Sequence, residues 1–90
     1  MAKYAYHRLD ANHVAIREGL RAVGATVNEK GPLDLLVGFR GTNYLLEVKT
    51  AKGKLRASQS AFLEAWRGHA VVVRTLDEAL AAIGWRGRRA

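Results

Sequence analysis

The spacing of apolar and polar positions changes along this chain, and the changes divide it into helices and strands. From Asp10 to Val23, the positions Asn12, Ile16, Gly19 and Val23 recur at helical spacing with Leu20 beside them, which predicts a first helix. Asp10 is suited to cap its start and Gly24 to end it in a left-handed turn. Ala25–Asn28 reads as a short strand, and Glu29-Lys30-Gly31-Pro32 as a loop, because Pro32 has no N–H to give a sheet. Leu33–Phe39 is largely apolar, which predicts a strand buried on both faces. Arg40-Gly41-Thr42-Asn43 supplies a turn and Tyr44–Thr50 a third strand, so these two strands form an antiparallel pair.

The second half repeats the alternation of periods. After the basic loop Ala51–Lys54, a second helix is predicted from Arg56 to Arg67, with Leu55, Gln59, Phe62 and Trp66 on one inward stripe and Gly68 as its stop. Ala70–Val73 is a continuous apolar run and reads as a fourth, central strand. Thr75 followed three residues later by Glu78 has the form of a capping box, opening a third helix with Leu76, Leu80 and Ile83 on its apolar side. The helix between strands three and four implies a crossover to a parallel neighbour. The expected fold is α/β, a mixed sheet flanked by helices in the order α-β-β-β-α-β-α.

Composition narrows what such a fold can be for. Ninety residues make one domain, placed at 1–85, with a basic tail at 86–90. A core this small leaves no room for an enclosed chamber, so a site would be an open groove or be completed by a second subunit. The formal charge is +7, with 15 Lys+Arg against 8 Asp+Glu, which favours polyanions and above all nucleic acid. The absence of cysteine excludes a disulfide framework and a thiolate zinc site. The start Met-Ala-Lys-Tyr-Ala-Tyr-His-Arg lacks an apolar run, and no stretch approaches the ~20 apolar residues a membrane helix needs. A soluble cytoplasmic protein, bacterial or in a phage-infected host cell, is expected.

Against this basic background three residues stand out. Side chains alternate along a strand, so Leu45, Glu47 and Lys49 share one face while Leu46 and Val48 share the other, which is core. Hairpin pairing brings Asp34, near the start of strand two, toward the Glu47 end of strand three. Two converging carboxylates repel unless a cation lies between them, and a hard divalent ion with oxygen ligands, Mg²⁺ or Mn²⁺, is the usual answer. Such an ion polarises a phosphodiester and activates an attacking water, with Lys49 placed to hold that water or stabilise the developing charge. The bland alternatives are an exposed Glu47–Lys49 ion pair of little energetic consequence and a strand-capping Asp34.

Asp34-Leu35-Leu36-Val37-Gly38, then Leu46-Glu47-Val48-Lys49-Thr50, then Leu55 with Gln59 in the next helix, resembles the PD-(D/E)XK nuclease superfamily and, within it, the compact virus-type replication-repair nuclease (VRR-NUC) group. The resemblance runs from the Asp10 helix to the Thr75 helix. It implies a restriction-endonuclease-like core and Asp34, Glu47, Lys49 and Gln59 as catalytic residues. It also implies Asp34, Glu47 and the Val48 carbonyl as metal ligands. One departure is plain: such nucleases often carry a glutamate on the first helix, and the matching place here is Asn12, which has no charge to offer. Asn12 would either hold a metal-bound water or bond to backbone at the helix start.

Candidate nucleic-acid contacts are Asn12, Arg17, Arg40, Lys52, Lys54 and Arg56. Arg8, Arg17 and Arg21 give the first helix a basic side; His7, His13 and His69 lack zinc spacing and are assigned to phosphate contacts or surface. Trp85 with Arg86, Arg88 and Arg89 reads as a disordered tail or as a stacking and phosphate-binding one. The expected function is a divalent-metal-dependent DNA endonuclease, acting on branched DNA such as Holliday junctions as a homodimer. The alternative is a weak or inactive nucleic-acid-binding module on the same fold. The branched substrate and the dimer are implied by the resemblance and by no particular residue.

Overall fold

The structure is a computed structural model that describes residues 10–87. It contains three helices and four strands in the predicted order: α1 (Ala11–Ala22), β1 (Thr26–Asn28), β2 (Leu35–Phe39), β3 (Thr42–Val48), α2 (Ala57–Ala65), β4 (Ala70–Val73) and α3 (Leu76–Ala82). The strands form one mixed sheet in the order β1-β2-β3-β4. β1–β2 and β2–β3 are antiparallel, and β3–β4 is parallel across the α2 crossover.

One face of the sheet carries the core. Leu35 and Leu46 are cross-strand partners; with Val37, Phe39, Val48 and Val73 they pack against Ile16 and Leu20 of α1 and Ala79 and Ile83 of α3. Gly19 permits the α1–α3 crossing, since a Cβ there would come within 2.5 Å of the Leu76 methyl groups. The Asp10 side chain caps α1 through the His13 N–H at 2.7 Å, and Gly24 follows in the left-handed region at φ +96°. Thr75 caps α3 through the Glu78 N–H, while the Glu78 carboxylate accepts from Arg74 N–H, one residue earlier than the predicted box would place it.

The opposite face is covered by α2 alone, and that changes three expectations. β2 is not buried on both sides: Leu35, Val37 and Phe39 are buried while Leu36 is 36% exposed, because one helix does not span the face. α2 ends at Ala65, two residues short of the predicted end, and the chain turns extended at Trp66; the indole therefore leaves the inward stripe and is 46% exposed. β4 is an edge strand, not a central one. Of its valines only Val73 is buried in the core, Val71 on the same face is 41% exposed, and no further strand pairs beyond them among the described residues.

The hairpin turn is shorter than the sequence suggests. Phe39 pairs with Thr42, so only Arg40 and Gly41 form the loop, both at positive φ (50° and 80°). That is the two-residue turn whose twist matches its strands. At the other end of the described chain, Trp85 packs against the core cluster and is not part of a disordered tail. Arg88 and Arg89, like His7 and Arg8, lie outside the described residues. Among the described residues no helix is long and apolar enough to cross a membrane.

Candidate active site

β2 stops at Leu35 while β3 continues to Val48, so the last N–H of β3 on that side lacks a strand partner. Asp34 supplies one. It sits in the bend after Pro32 and Leu33, outside the ladder, and its Oδ2 accepts the Val48 N–H at 3.0 Å. In return Asp34 N–H donates to Glu47 Oε1 at 3.3 Å. The two carboxylates predicted to converge are thus joined by reciprocal bonds to each other's backbone segments. In a strand the N–H and C=O of one residue point to the same neighbour, so the Val48 carbonyl opens to the same side as Asp34.

Glu47 is only 4% exposed, beneath α2. Burial and the neighbouring Asp34 charge push its carboxyl above the usual carboxylate range, against the pull of the Asp34 N–H and Lys49. Lys49, two residues along the same face, places Nζ 3.6 Å from Glu47 Oε2. Gln59 in the first turn of α2 donates to the same oxygen at 2.6 Å. Its Oε1 accepts the Arg56 N–H at 2.9 Å, so one amide both caps the helix and orients Glu47. Asp34, Glu47, Lys49 and Gln59 therefore come together, as predicted.

These groups border an open groove of about 450 Å³ lined by Asp34, Glu47, Arg56, Gln59, Phe62 and Glu29, among others. Glu29 has no place in the sequence-based site. Partial burial opposes its ionisation, yet hydrogen bonds from His13 and Arg17 hold its carboxyl below the usual range. His13 Nε2 and Arg17 Nη1 each lie 3.0 Å from Glu29 Oε2. His13 is thus a buried tie between α1 and the loop after β1, not a surface or phosphate-contacting residue. No periodicity marks that pairing in advance, because its partners lie sixteen residues apart on different elements.

The remaining candidates are spread around the site. Asn12 Nδ2 donates to Lys49 O at 2.9 Å and Arg74 O at 3.1 Å, tying together the ends of β3 and β4. That is a structural answer to why an amide stands there: an acid has no proton to give two carbonyls. Arg17 is paired with Glu18 and Glu29. Lys52 and Lys54 are exposed in the loop after β3, and Arg56 is exposed at the groove. Arg40 lies at the far end of the hairpin, six residues from Asp34 and so about 20 Å away at strand rise; its guanidinium sits over the Phe39 ring. Arg74, missed in the sequence, pins the loop through Nη1 bonds of 2.7 Å to both Thr50 O and Gly53 O.

The donor set suits a hard divalent ion. It is all oxygen, it brings two carboxylates whose mutual repulsion disfavours ionised Glu47, and Asp34 Oδ1 has no hydrogen-bond partner among the described residues. No group of three or more His, Cys, Asp or Glu side chains is clustered for a metal among the described residues. Two carboxylates and a carbonyl would leave the other positions of such an ion to water. Comparison with protein-family models, with curated proteins and with solved structures finds no match for this chain.

Proposed function

We propose that this chain is a divalent-metal-dependent DNA endonuclease of the PD-(D/E)XK kind, similar to the VRR-NUC group. The observation that carries the reading is the reciprocal pair: Asp34 N–H on Glu47 and Val48 N–H on Asp34, with the Lys49 ammonium beside them. A strand end that needed only capping would not require a second, buried carboxylate next to the first, whose ionisation burial opposes.

Asp34, Glu47 and the Val48 carbonyl would hold Mg²⁺ or Mn²⁺. When bound, the ion would draw charge from the scissile phosphate and lower the pKa of an attacking water. Lys49, 3.6 Å from Glu47, would orient that water and meet the charge that develops on the phosphate oxygens. Gln59 keeps Glu47 in one rotamer through its 2.6 Å bond. Arg56 at the groove, with Lys52 and Lys54 on the adjoining loop, would carry the nucleic-acid backbone past the site. The groove is open, as a polymer substrate requires.

Branched DNA as the substrate, a homodimer that cuts two strands, and a bacterial or phage-infected cytoplasm as the setting complete the proposal. A second reading, a binding module without hydrolysis, is favoured by one observation: Gln59 and Lys49 already serve Glu47, and no third acid joins the pair among the described residues. The test that separates them is incubation with a labelled four-way junction, a linear duplex and a single strand, each in Mg²⁺, Mn²⁺ or EDTA, beside Lys49→Ala. Metal-dependent cutting abolished by Lys49→Ala supports the enzyme; binding without cutting supports the module. Equal rates on junction and duplex would remove the branched-DNA preference, and light scattering decides the dimer.

A further inference from the structure

Next to the acidic groove, on the α2 face of the sheet, lies a second cavity of about 600 Å³ with a different character. Pro32 lines both. Beyond it the walls are Leu36, Tyr44, Leu45, Trp66 and His69. The Tyr44 ring lies on the core side of the sheet, 4.8 Å from the His69 ring, so Trp66 supplies the aromatic face here. The Trp66 indole, 46% exposed, is stacked at 5.1 Å and 21° on Phe62, which itself lines the acidic groove. Gly68 leaves room for that indole, since a Cβ there would sit 2.9 Å from Trp66 Nε1. An apolar cavity with the Trp66 indole and Asn43 in its lining therefore adjoins the acidic groove at Pro32.

We propose that this cavity receives an unpaired nucleobase of the strand whose backbone lies in the acidic groove, with the base stacked on Trp66. The inference rests on the nucleic-acid reading above and adds to it the substrate class: strands with an unstacked nucleotide beside the cut. Three features select this occupant. The chain is strongly basic at +7, so a ligand spanning both cavities is most simply a polyanion. A nucleotide is the unit that presents charge to the polar groove and a flat ring to the apolar one. Stacking on an aromatic face is available to every base, so the cavity needs no sequence-reading donors.

The test is equilibrium binding in Ca²⁺, an oxygen-seeking ion that can lie between carboxylates and phosphate, followed by anisotropy, of a short labelled single strand and of an abasic strand of the same length. The full chain, Trp66→Ala and Trp66→Phe are compared. Trp66 is exposed, and Trp66→Phe keeps an aromatic face, so loss of folding is separable from loss of stacking. The chain should bind the base-bearing strand on the order of 5- to 150-fold more tightly than the abasic one, the factor one base–aromatic stack carries. Trp66→Ala should remove that difference and Trp66→Phe should keep most of it. Equal binding of the two strands by the parent, or an undiminished difference in Trp66→Ala, overturns the proposal. So does a dimer that Trp66→Ala dissociates while discrimination persists, which would give the cavity to a second copy. Base discrimination through Trp66 without metal-dependent cutting would keep the cavity and sink hydrolysis; cutting indifferent to Trp66 would do the reverse.

Discussion

Gln59 donates to the buried Glu47 carboxylate across 2.6 Å, and this bond joins α2 to the sheet at the point where the chemistry is proposed. α2 buries none of its residues fully, so its seat depends on this polar contact together with half-buried Phe62 and Leu63. Gln59→Leu removes both the bond to Glu47 and the cap on Arg56 N–H. The expected cost is about 1–3 kcal/mol, with faster hydrogen exchange confined to the first turn of α2. Gln59→Glu keeps an acceptor for the cap but sets a second carboxylate against Glu47, and should cost more at neutral pH than in acid.

Glu47 gives the pH dependence. Its folded pKa lies above its unfolded one, because burial and Asp34 disfavour the charge. The folded state therefore holds its proton longer, and the stability tied to protonated Glu47 is present below the unfolded pKa and lost as pH rises through the folded one. Both Glu47 oxygens accept N–H bonds, so Glu47→Gln sets an amide NH2 against a donor and should cost stability in acid; this cost should shrink as pH rises to neutral, where the parent carries the buried charge. Added Mg²⁺ should raise the melting temperature of the parent alone at neutral pH. A pH-independent difference would contradict burial and the Asp34 charge as the source of the shift.

Asn12 is explained by what it donates to. Asn12→Ala leaves Lys49 O and Arg74 O without their side-chain partner and should cost about 1–2 kcal/mol. Asn12→Asp, which restores an acid to the first helix, should be worse than alanine, since it turns an acceptor toward two acceptors. Urea denaturation of the three proteins checks the order.

Arg74 holds the loop that carries Lys52. Arg74→Ala should cost about 1 kcal/mol and speed hydrogen exchange at residues 50–53 while leaving α1 and α3 protected. Nucleic-acid affinity in EDTA should fall in the same variant, as the basic loop loses its fixed position.

What could be read from the sequence depends on whether the cause was local. The order of elements followed from period and from Asp10, Gly24 and Thr75, whose capping depends on immediate neighbours. The meeting of Asp34 with Glu47 followed from hairpin register, which alternation fixes once the turn is placed. The errors have tertiary causes. Ala70–Val73 is as apolar as a central strand, but its place at the edge is set by which strands remain to pair with it. Trp66 continues the helical stripe in sequence, yet the helix has ended. His13–Glu29 and Arg74 with Thr50 and Gly53 join elements far apart in the chain, and no spacing rule reaches them.

The proposed hydrolysis stands or falls with Asp34 and Glu47 as holders of a divalent ion. Asp34→Asn keeps an oxygen for the Val48 N–H and removes only the charge, so it separates the metal from the fold. The deciding measurement is the single-turnover cleavage rate of a labelled four-way junction across a Mg²⁺ series, for the parent and for Asp34→Asn. The parent rate should rise with Mg²⁺ to a plateau and vanish in EDTA. In Asp34→Asn it should fall by at least about 100-fold, as expected for loss of a group stabilising the transition state. A folded parent that leaves the junction uncut at every Mg²⁺ concentration, or an Asp34→Asn variant that cuts as fast, would refute the metal site.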